Sequence, residues 1–236
     1  MTVNSILAQN AFDIVKKSND NVLGKTSQST SKMTIVRPDW TREVEMKTWS
    51  KGTDYFLIYI TSPPRDKGQV FLKRKKELWN WMPSIGRMIK LPPSMMMQSW
   101  MGSDFTNDDL LKQSSIVKDY THKIIGEEKF EGYDCWVIEM TPKPDAPVVW
   151  GKIVIHISKK NYLQLKIKFY DETLELVNTM TGSNIKNVGD RILPTKLEMK
   201  PADKPGNKTI FEYSKIKFNI PIDNSFFSKQ NMKRIK

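Results

Sequence analysis

The nine residues LQLKIKFYD, at positions 163–171, carry the pattern that decides the fold. Apolar and polar side chains alternate one by one, and successive side chains of a β-strand point to opposite faces of its sheet. The stretch therefore predicts a strand with one buried face and one wet face. The residues expected on the buried face are Leu163, Leu165, Ile167 and Phe169.

Similar short stretches follow one another along most of the chain, separated by turn residues. They give about eleven strand candidates at the spacing of meandering all-β folds. A helical pattern occurs at Ile6 to Lys17, with Ser5 as its cap and residues 19–21 and Gly24 at its end. No linker divides the chain. We therefore predict one mainly β (α+β) domain over residues 1–236, in which an N-terminal helix (1–18) precedes a curled antiparallel sheet that forms an incomplete β-barrel.

The stretch PPSMMMQSWMGSDF, at residues 92–105, interrupts the strands and holds four of the thirteen methionines. The residues after it predict a short helix. Thr106 suits the N-cap position, and Asp109 suits the third helical position of a capping box. Phe105 and Leu110 have the spacing of a hydrophobic staple. We treat residues 92–114 as one inserted segment, here called the 92–114 segment.

The composition indicates an ordinary globular chain with a strong excess of positive charge. The net charge is +12, which favours anionic partners such as nucleic acid, anionic lipid surfaces or acidic proteins. No stretch approaches the ~18 consecutive apolar residues of a membrane-spanning helix. The first residues do not resemble a signal peptide. The protein is therefore expected to be cytoplasmic, or the mature form of a secreted protein.

The residue types that usually carry catalysis are scarce. Cys135 is the only cysteine, and the two histidines, His122 and His156, have no motif around them. Structural zinc sites use four Cys or His ligands, and catalytic zinc sites use three. Neighbouring acidic pairs have no evident acid or base partner. We expect no metal, no cofactor and no enzyme activity.

A basic and aromatic stretch permits a nucleic-acid interpretation. Lys73 to Lys76 are four consecutive basic residues, and Trp79 and Trp81 follow them. Basic charge with stacking aromatics is typical of single-strand binding. The other interpretation is a solvated hairpin whose two tryptophans pack on one sheet face, and we favour it.

The apolar surplus of the 92–114 segment permits two interpretations: a plain cover over an open barrel end, or the lining of a cavity for an apolar ligand. Methionine adapts to ligands of variable shape, and a curled sheet of about eleven strands leaves room inside. We favour the cavity. The predicted cavity and lid residues are Val44, Met46, Trp79, Trp81, Met95, Met96, Met97, Trp100, Met101, Phe105, Leu110 and Leu111.

The run SMMMQSWMGSDFTNDDLL, with RMIKLPP and ELWNWMP before it and YDCWVIEMTPK and ILPTKLEMK after it, resembles the outer-membrane lipoprotein-sorting proteins, the family similar to the periplasmic carriers LolA and LolB. The resemblance covers nearly the whole chain. It implies a mature periplasmic protein without enzyme activity, with a helical lid over an apolar cavity for acyl chains. The pair Arg37-Pro38 is similar to the carrier's Arg-Pro, which implies that Arg37 latches the lid.

The leading hypothesis is a monomeric periplasmic carrier for the acyl chains of a lipid or lipoprotein. It would work with an inner-membrane transporter and an outer-membrane acceptor, and its basic residues would make transient contact with the membrane surface. The alternative is a non-carrier binding module on the same scaffold, either an envelope-stress sensor or a transporter accessory subunit. A nucleic-acid binder is the third hypothesis, and we do not favour it.

Overall fold

A computed structural model describes residues 10–112, 116–146 and 148–236, apart from the side chains of Pro93 and of residues 110–112. Its regular elements are one 13-stranded sheet and three short helices. The helices are α1 (Ala11–Leu23), α2 (Asn107–Lys112) and α3 (Lys229–Met232). The strands are β1 (Thr26–Val36), β2 (Thr41–Lys51), β3 (Tyr55–Ser62), β4 (Val70–Arg74), β5 (Glu77–Met82), β6 (Arg87–Lys90), β7 (Tyr120–Phe130), β8 (Tyr133–Pro142), β9 (Lys152–Ser158), β10 (Gln164–Tyr170), β11 (Leu176–Val188), β12 (Arg191–Pro201) and β13 (Lys208–Phe218).

The sheet is an antiparallel meander with one long-range pairing. Each strand pairs with its neighbour in the chain, except that β1 pairs with β13 and the edge strands β6 and β7 do not pair with each other. The predicted class, a mainly β curled antiparallel sheet that does not close, is confirmed. The number of strands is thirteen rather than about eleven. One extra strand is β6, which returns along β5 after a turn closed by Gly86 in the left-handed conformation.

Strand β10 forms, but its side chains do not divide as the alternation predicts. Ile167 and Phe169 pack with the cluster on the inner face of the sheet, whereas Leu163 and Leu165 join a separate cluster around Cys135. The cause is a register shift between Gln164 and Lys166 in the pairing with β9. A bulge inserts one residue, so the side chains on either side of it change faces.

Helix α1 is displaced along the chain from its prediction. Its cap is Asn10, whose side chain accepts from the Asp13 amide at 3.0 Å, and it continues through residues 19–21 to Leu23. Gly24 ends it at φ +65°, where a Cβ would lie 2.9 Å from the Phe218 ring. Arg191 donates to the last carbonyls of the helix. The predicted cap Ser5 and the start at Ile6 lie outside the described residues.

The two faces of the sheet have different covers. The inner face carries two apolar clusters, one on β7–β10 with α1 and one on β1–β5 with Trp100. The outer face of β2–β5 is covered by the C-terminal residues, among which Phe227 and Met232 are fully buried. The curvature places the inner faces of distant strands around a common interior.

Candidate functional site

A cavity of about 270 Å³ lies inside the curled sheet. A single water needs only ~10–15 Å³ on the same measure, so the interior is far from filled. The lining is largely apolar and comes from the central strands, from α1 and from the 92–114 segment. Its apolar residues include Val22, Leu23, Met46, Phe56, Ile58, Trp100, Phe105, Tyr120, Met140, Trp150, Ile153, Ile155, Ile167, Phe169, Met180, Leu193, Leu197, Met199, Phe211, Ile216 and Phe218.

The 92–114 segment covers the open side of the sheet because it connects the two edge strands. Strand β6 ends at Lys90 and β7 begins at Tyr120, so the residues between them must pass from one edge to the other. The segment is folded on itself by a bridge between Ser99 and Thr106. At its tip Met101 (φ +52°) and Gly102 (φ +78°) are both left-handed. The described part of the cover, residues 92–112, is therefore a folded-back loop followed by helix α2.

The predicted capping box is present at the start of α2. The Thr106 hydroxyl accepts from the Asp109 amide at 3.2 Å, and the Asp109 carboxylate accepts from the Thr106 amide at 2.7 Å. The same carboxylate accepts from the Trp150 indole at 3.2 Å, which ties the cap to the loop before β9. Burial raises the pKa of Asp109, while these hydrogen bonds oppose the rise. The side chain of Leu110, the second half of the predicted staple, lies outside the described residues.

Two arginines hold the tip of the 92–114 segment. Arg37 pairs with the Asp104 carboxylate at 3.1 Å and donates to the Gly102 carbonyl at 2.9 Å. The Asp104 carboxylate also accepts from the Thr209 hydroxyl at 2.6 Å. Arg42 donates to the Met101 carbonyl at 3.2 Å. The carbonyls of the left-handed residues Met101 and Gly102 are thus the backbone groups that the two arginines contact. Arg37 makes its predicted contact with the segment through the Gly102 backbone and the Asp104 side chain.

The predicted cavity residues divide into those that line the cavity and those that do not. Met46, Trp100 and Phe105 line it. Val44 and Met101 pack in the inner cluster beside Trp100 without lining the cavity. Met95 and Met96 are half-buried and Met97 is 55% exposed; none of the three lines the cavity. The side chains of Leu110 and Leu111 lie outside the described residues.

Trp79 and Trp81 lie on the opposite side of the sheet from the cavity, contrary to the prediction. Trp79 faces Leu72 across the β4–β5 pairing, and both belong to the outer cluster under the C-terminal residues. The ammonium of Lys229 lies 3.5 Å from the centre of the Trp79 ring. The prediction correctly placed both tryptophans on one face but chose the wrong face, because alternation alone does not say which side is concave.

A row of small hydroxyl side chains in the cavity wall was missed in the sequence. Ser27 and Ser29 on β1 face Ser50 and Thr48 on β2, and all four line the cavity. Ser27 and Ser50 hydrogen-bond each other at 2.7 Å. The signal was present as serine at every second position of TSQSTS, residues 26–31, which is a strand whose inward face is polar.

The described part of the chain contains no cluster of three or more His, Cys, Asp or Glu side chains that could hold a metal ion. Within the same residues, no helix has the length and hydropathy needed to cross a membrane.

Three solved structures share this architecture. A DUF1329 family protein from Desulfovibrio piger matches with a TM-score of 0.87 and 22% identity over 94% of this chain and 97% of the other. A putative outer membrane lipoprotein-sorting protein domain from Vibrio parahaemolyticus matches at 0.84 and 24%, over 95% and 98%. A LolA superfamily protein from Nitrosomonas europaea matches at 0.82 and 24%, over 95% and 100%. The protein therefore has the LolA-like fold, as the resemblance in its sequence predicted.

The model of a protein family described as "-like: Uncharacterized protein" matches residues 52–234. This match extends from the end of β2 to the C-terminal residues, and the chain belongs to that family. No curated protein matches the sequence.

Proposed function

We propose that this protein is a monomeric periplasmic carrier, which binds the acyl chains of a lipoprotein or lipid in its cavity and moves them towards the outer membrane. The observation that supports this proposal is the apolar interior enclosed by the curled sheet, α1 and the 92–114 segment. Each CH₂ group removed from water contributes ~0.8 kcal/mol. Ten such groups would contribute about 8 kcal/mol before the costs of binding.

A carrier must also release its cargo, and the attachment of the 92–114 segment suits a cover that opens. The tip is held by a few polar contacts to Arg37 and Arg42. Breaking them would free the tip while the thirteen strands stay paired. In this proposal Arg37 is the latch, an inner-membrane transporter delivers the cargo and an outer-membrane acceptor removes it. The protein acts by binding rather than by catalysis.

The alternative, a non-carrier module that binds a protein partner on the same scaffold, expects a dry and well-packed interior. A cavity that could hold many waters argues for the carrier. The residues proposed to bind the acyl chain are those that line the cavity, among them Met46, Trp100 and Phe105. Trp79 and Trp81 lie on the outer face and are not included.

The test is binding of a monoacylglycerol with a fluorescent acyl chain to delipidated protein. We expect saturable binding, together with lipid that copurifies with the untreated protein and is detected by mass spectrometry. Leu197→Trp adds bulk to the cavity lining and is expected to weaken binding at least ~10-fold, a change of about 1.4 kcal/mol.

Leu176→Trp is the matched control, since Leu176 is a 36% exposed residue on β11 outside the cavity lining. It should bind like the unaltered protein. Thermal unfolding must show that both variants are folded. Absence of binding to the unaltered protein, with no copurified lipid, would refute the carrier proposal.

A further inference from the structure

The interior of the cavity is not uniformly apolar. Its polar wall lies on β1 and β2, where Ser29 faces Thr48 directly across the strand pair. Ser29 and Thr48 are each 8% exposed. Neither hydroxyl forms a hydrogen bond with a described residue, and both residues line the cavity.

Two neighbouring polar groups are buried more deeply and also have no partner among the described residues. The hydroxyl of Ser31 is one of them; Ser31 is 2% exposed and follows Ser29 on the same face of β1. The other is the indole N–H of Trp100, a residue that lines the cavity and is 3% exposed; neither this nitrogen nor the Ser31 oxygen is itself accessible from the cavity. A buried polar group without a partner costs roughly 1–3 kcal/mol. A polar group of a ligand at this wall would meet the Ser29 and Thr48 hydroxyls, which have no other hydrogen-bond partner among the described residues.

The chemistry of these groups identifies what they would bind. A hydroxyl can donate one hydrogen bond and can also accept. Tyr213, which faces the Ser31 position from β13, is a further hydroxyl-bearing residue of the cavity lining. The polar group at the end of an esterified or amidated acyl chain is a carbonyl, whose oxygen accepts hydrogen bonds from such hydroxyls.

The charge of the lining disfavours an anionic group. No lysine or arginine occurs among the described residues that line the cavity, whereas Asp108 and Asp109 both do. Asp108 is 1% exposed. A buried carboxylate or phosphate would meet these two acidic side chains, and the nearby ammonium of Lys73 does not line the cavity and already interacts with Asp108.

We propose that the hydroxyls of Ser29 and Thr48, in the polar wall on β1 and β2, form a subsite for the neutral ester or amide carbonyl that links an acyl chain to its carrier molecule. This inference rests on the proposed function, since it names the class of ligand that the cavity takes. Cargo is thus recognised as an acyl ester or acyl amide, and free fatty acid is discriminated against.

The experiment compares three probes with the same fluorescent chain at pH 8: the methyl ester, the free carboxylate, and the hydrocarbon without a polar end. We expect the ester to bind most tightly, the hydrocarbon about fivefold more weakly, which corresponds to one hydrogen bond of ~1 kcal/mol, and the carboxylate most weakly. Thr48→Val keeps the shape of the side chain and removes the hydroxyl. It should weaken ester binding about fivefold and leave hydrocarbon binding unchanged.

Thr34→Val is the matched control, because Thr34 lies on β1 between the fully buried Met33 and Ile35 and therefore points to the other face. Ser29→Ala repeats the test if Thr48→Val does not fold. Equal affinity for ester and hydrocarbon, or equal loss of both in Thr48→Val, would refute the subsite while leaving the carrier intact. Failure of all three probes to bind would refute the carrier itself.

Discussion

Lys73 is a charged side chain on the inner face of the sheet, where apolar residues are the rule. It lies opposite Phe56, a cavity-lining residue, and is 6% exposed. Burial lowers the pKa of its ammonium to about 8, against the attraction of Asp54 and Asp108. In the sequence Lys73 belongs to a run of four basic residues, and nothing in that run distinguishes the buried lysine from its exposed neighbours.

The pKa of Lys73 predicts a pH-dependent stability. Below pH 8 the lysine is charged in both the folded and the unfolded state. Its pKa falls from 10.5 to about 8 on folding, and at 1.36 kcal/mol per pKa unit the burial of its charge costs at most about 3 kcal/mol. Between pH 8 and 10.5 the unfolded chain binds more protons than the folded one, so this cost disappears as the pH rises. Lys73→Met should therefore raise the free energy of unfolding by about 1–3 kcal/mol at pH 7 and by progressively less up to pH 10.

Urea unfolding of both proteins across this range measures the effect. Lys76→Met, at an exposed position of the following turn, is the control and should change little at any pH. A constant difference between Lys73→Met and the unaltered protein from pH 7 to pH 10 would contradict the assignment.

At the scale of elements, the 92–114 segment shows which of the features predicted from its sequence form in the folded protein. The capping box at Thr106 and Asp109 forms as its spacing predicts, because both partners lie within one helical turn. The methionines did not follow their prediction. Which of them reach the cavity depends on how the segment folds back between Ser99 and Thr106, and Trp100 and Phe105 take the inward positions.

Removal of the Arg37 side chain should loosen the tip of this segment. Asp104 is 8% exposed, so Arg37→Met leaves a buried carboxylate whose one remaining partner among the described residues is the Thr209 hydroxyl. Breaking a buried pair on one side costs roughly 3–5 kcal/mol. We expect a loss of stability near the lower end of that range and faster hydrogen exchange of the amides at residues 100–105.

Lys32→Met is the comparison for Arg37→Met. It breaks the ion pair between Lys32 on β1 and Glu43 on β2. The side chain of Lys32 is 40% exposed and that of Glu43 is 55% exposed. Exposed pairs contribute at most about 1 kcal/mol, so this variant should leave both stability and exchange nearly unchanged. Similar behaviour of the two variants would show that Arg37 does not hold the segment.

At the scale of the whole molecule, the excess charge lies outside and the apolar space inside. The chain carries 38 basic and 26 acidic residues, and exposed lysines such as Lys215 and Lys217 project from the outer face of β13. Long-range attraction to an anionic surface follows from such an excess. We therefore expect an approach to anionic lipid headgroups that is independent of the cavity.

Binding to lipid vesicles should therefore depend on charge and salt. We expect the protein to cosediment with phosphatidylglycerol vesicles at 20 mM salt and to be released by 0.5 M salt, since the screening length shrinks from ~8 Å at 0.15 M to ~3 Å at 1 M. Phosphatidylcholine vesicles serve as the neutral control and should not bind it. Cosedimentation that persists in 0.5 M salt, or equals that on the neutral vesicles, would contradict an electrostatic approach.

The sequence by itself determined most of the strands, the single sheet and the capped helix α2, because alternation, turn residues and capping act between residues close in the chain. It also contained the family resemblance. It did not determine the number of strands or the bounds of α1. The tertiary structure alone decided which face of each strand is concave. Trp79 and Trp81 lie on the outer face, and the serines of β1 line the cavity. A bulge in the pairing of β10 with β9 places Leu163 and Leu165 on the opposite face from Ile167 and Phe169. The physical reason is that both faces of a strand can be buried, so local alternation does not say which face is concave. That is decided only when strands distant in the chain, such as β1 and β13, pair into one curled sheet.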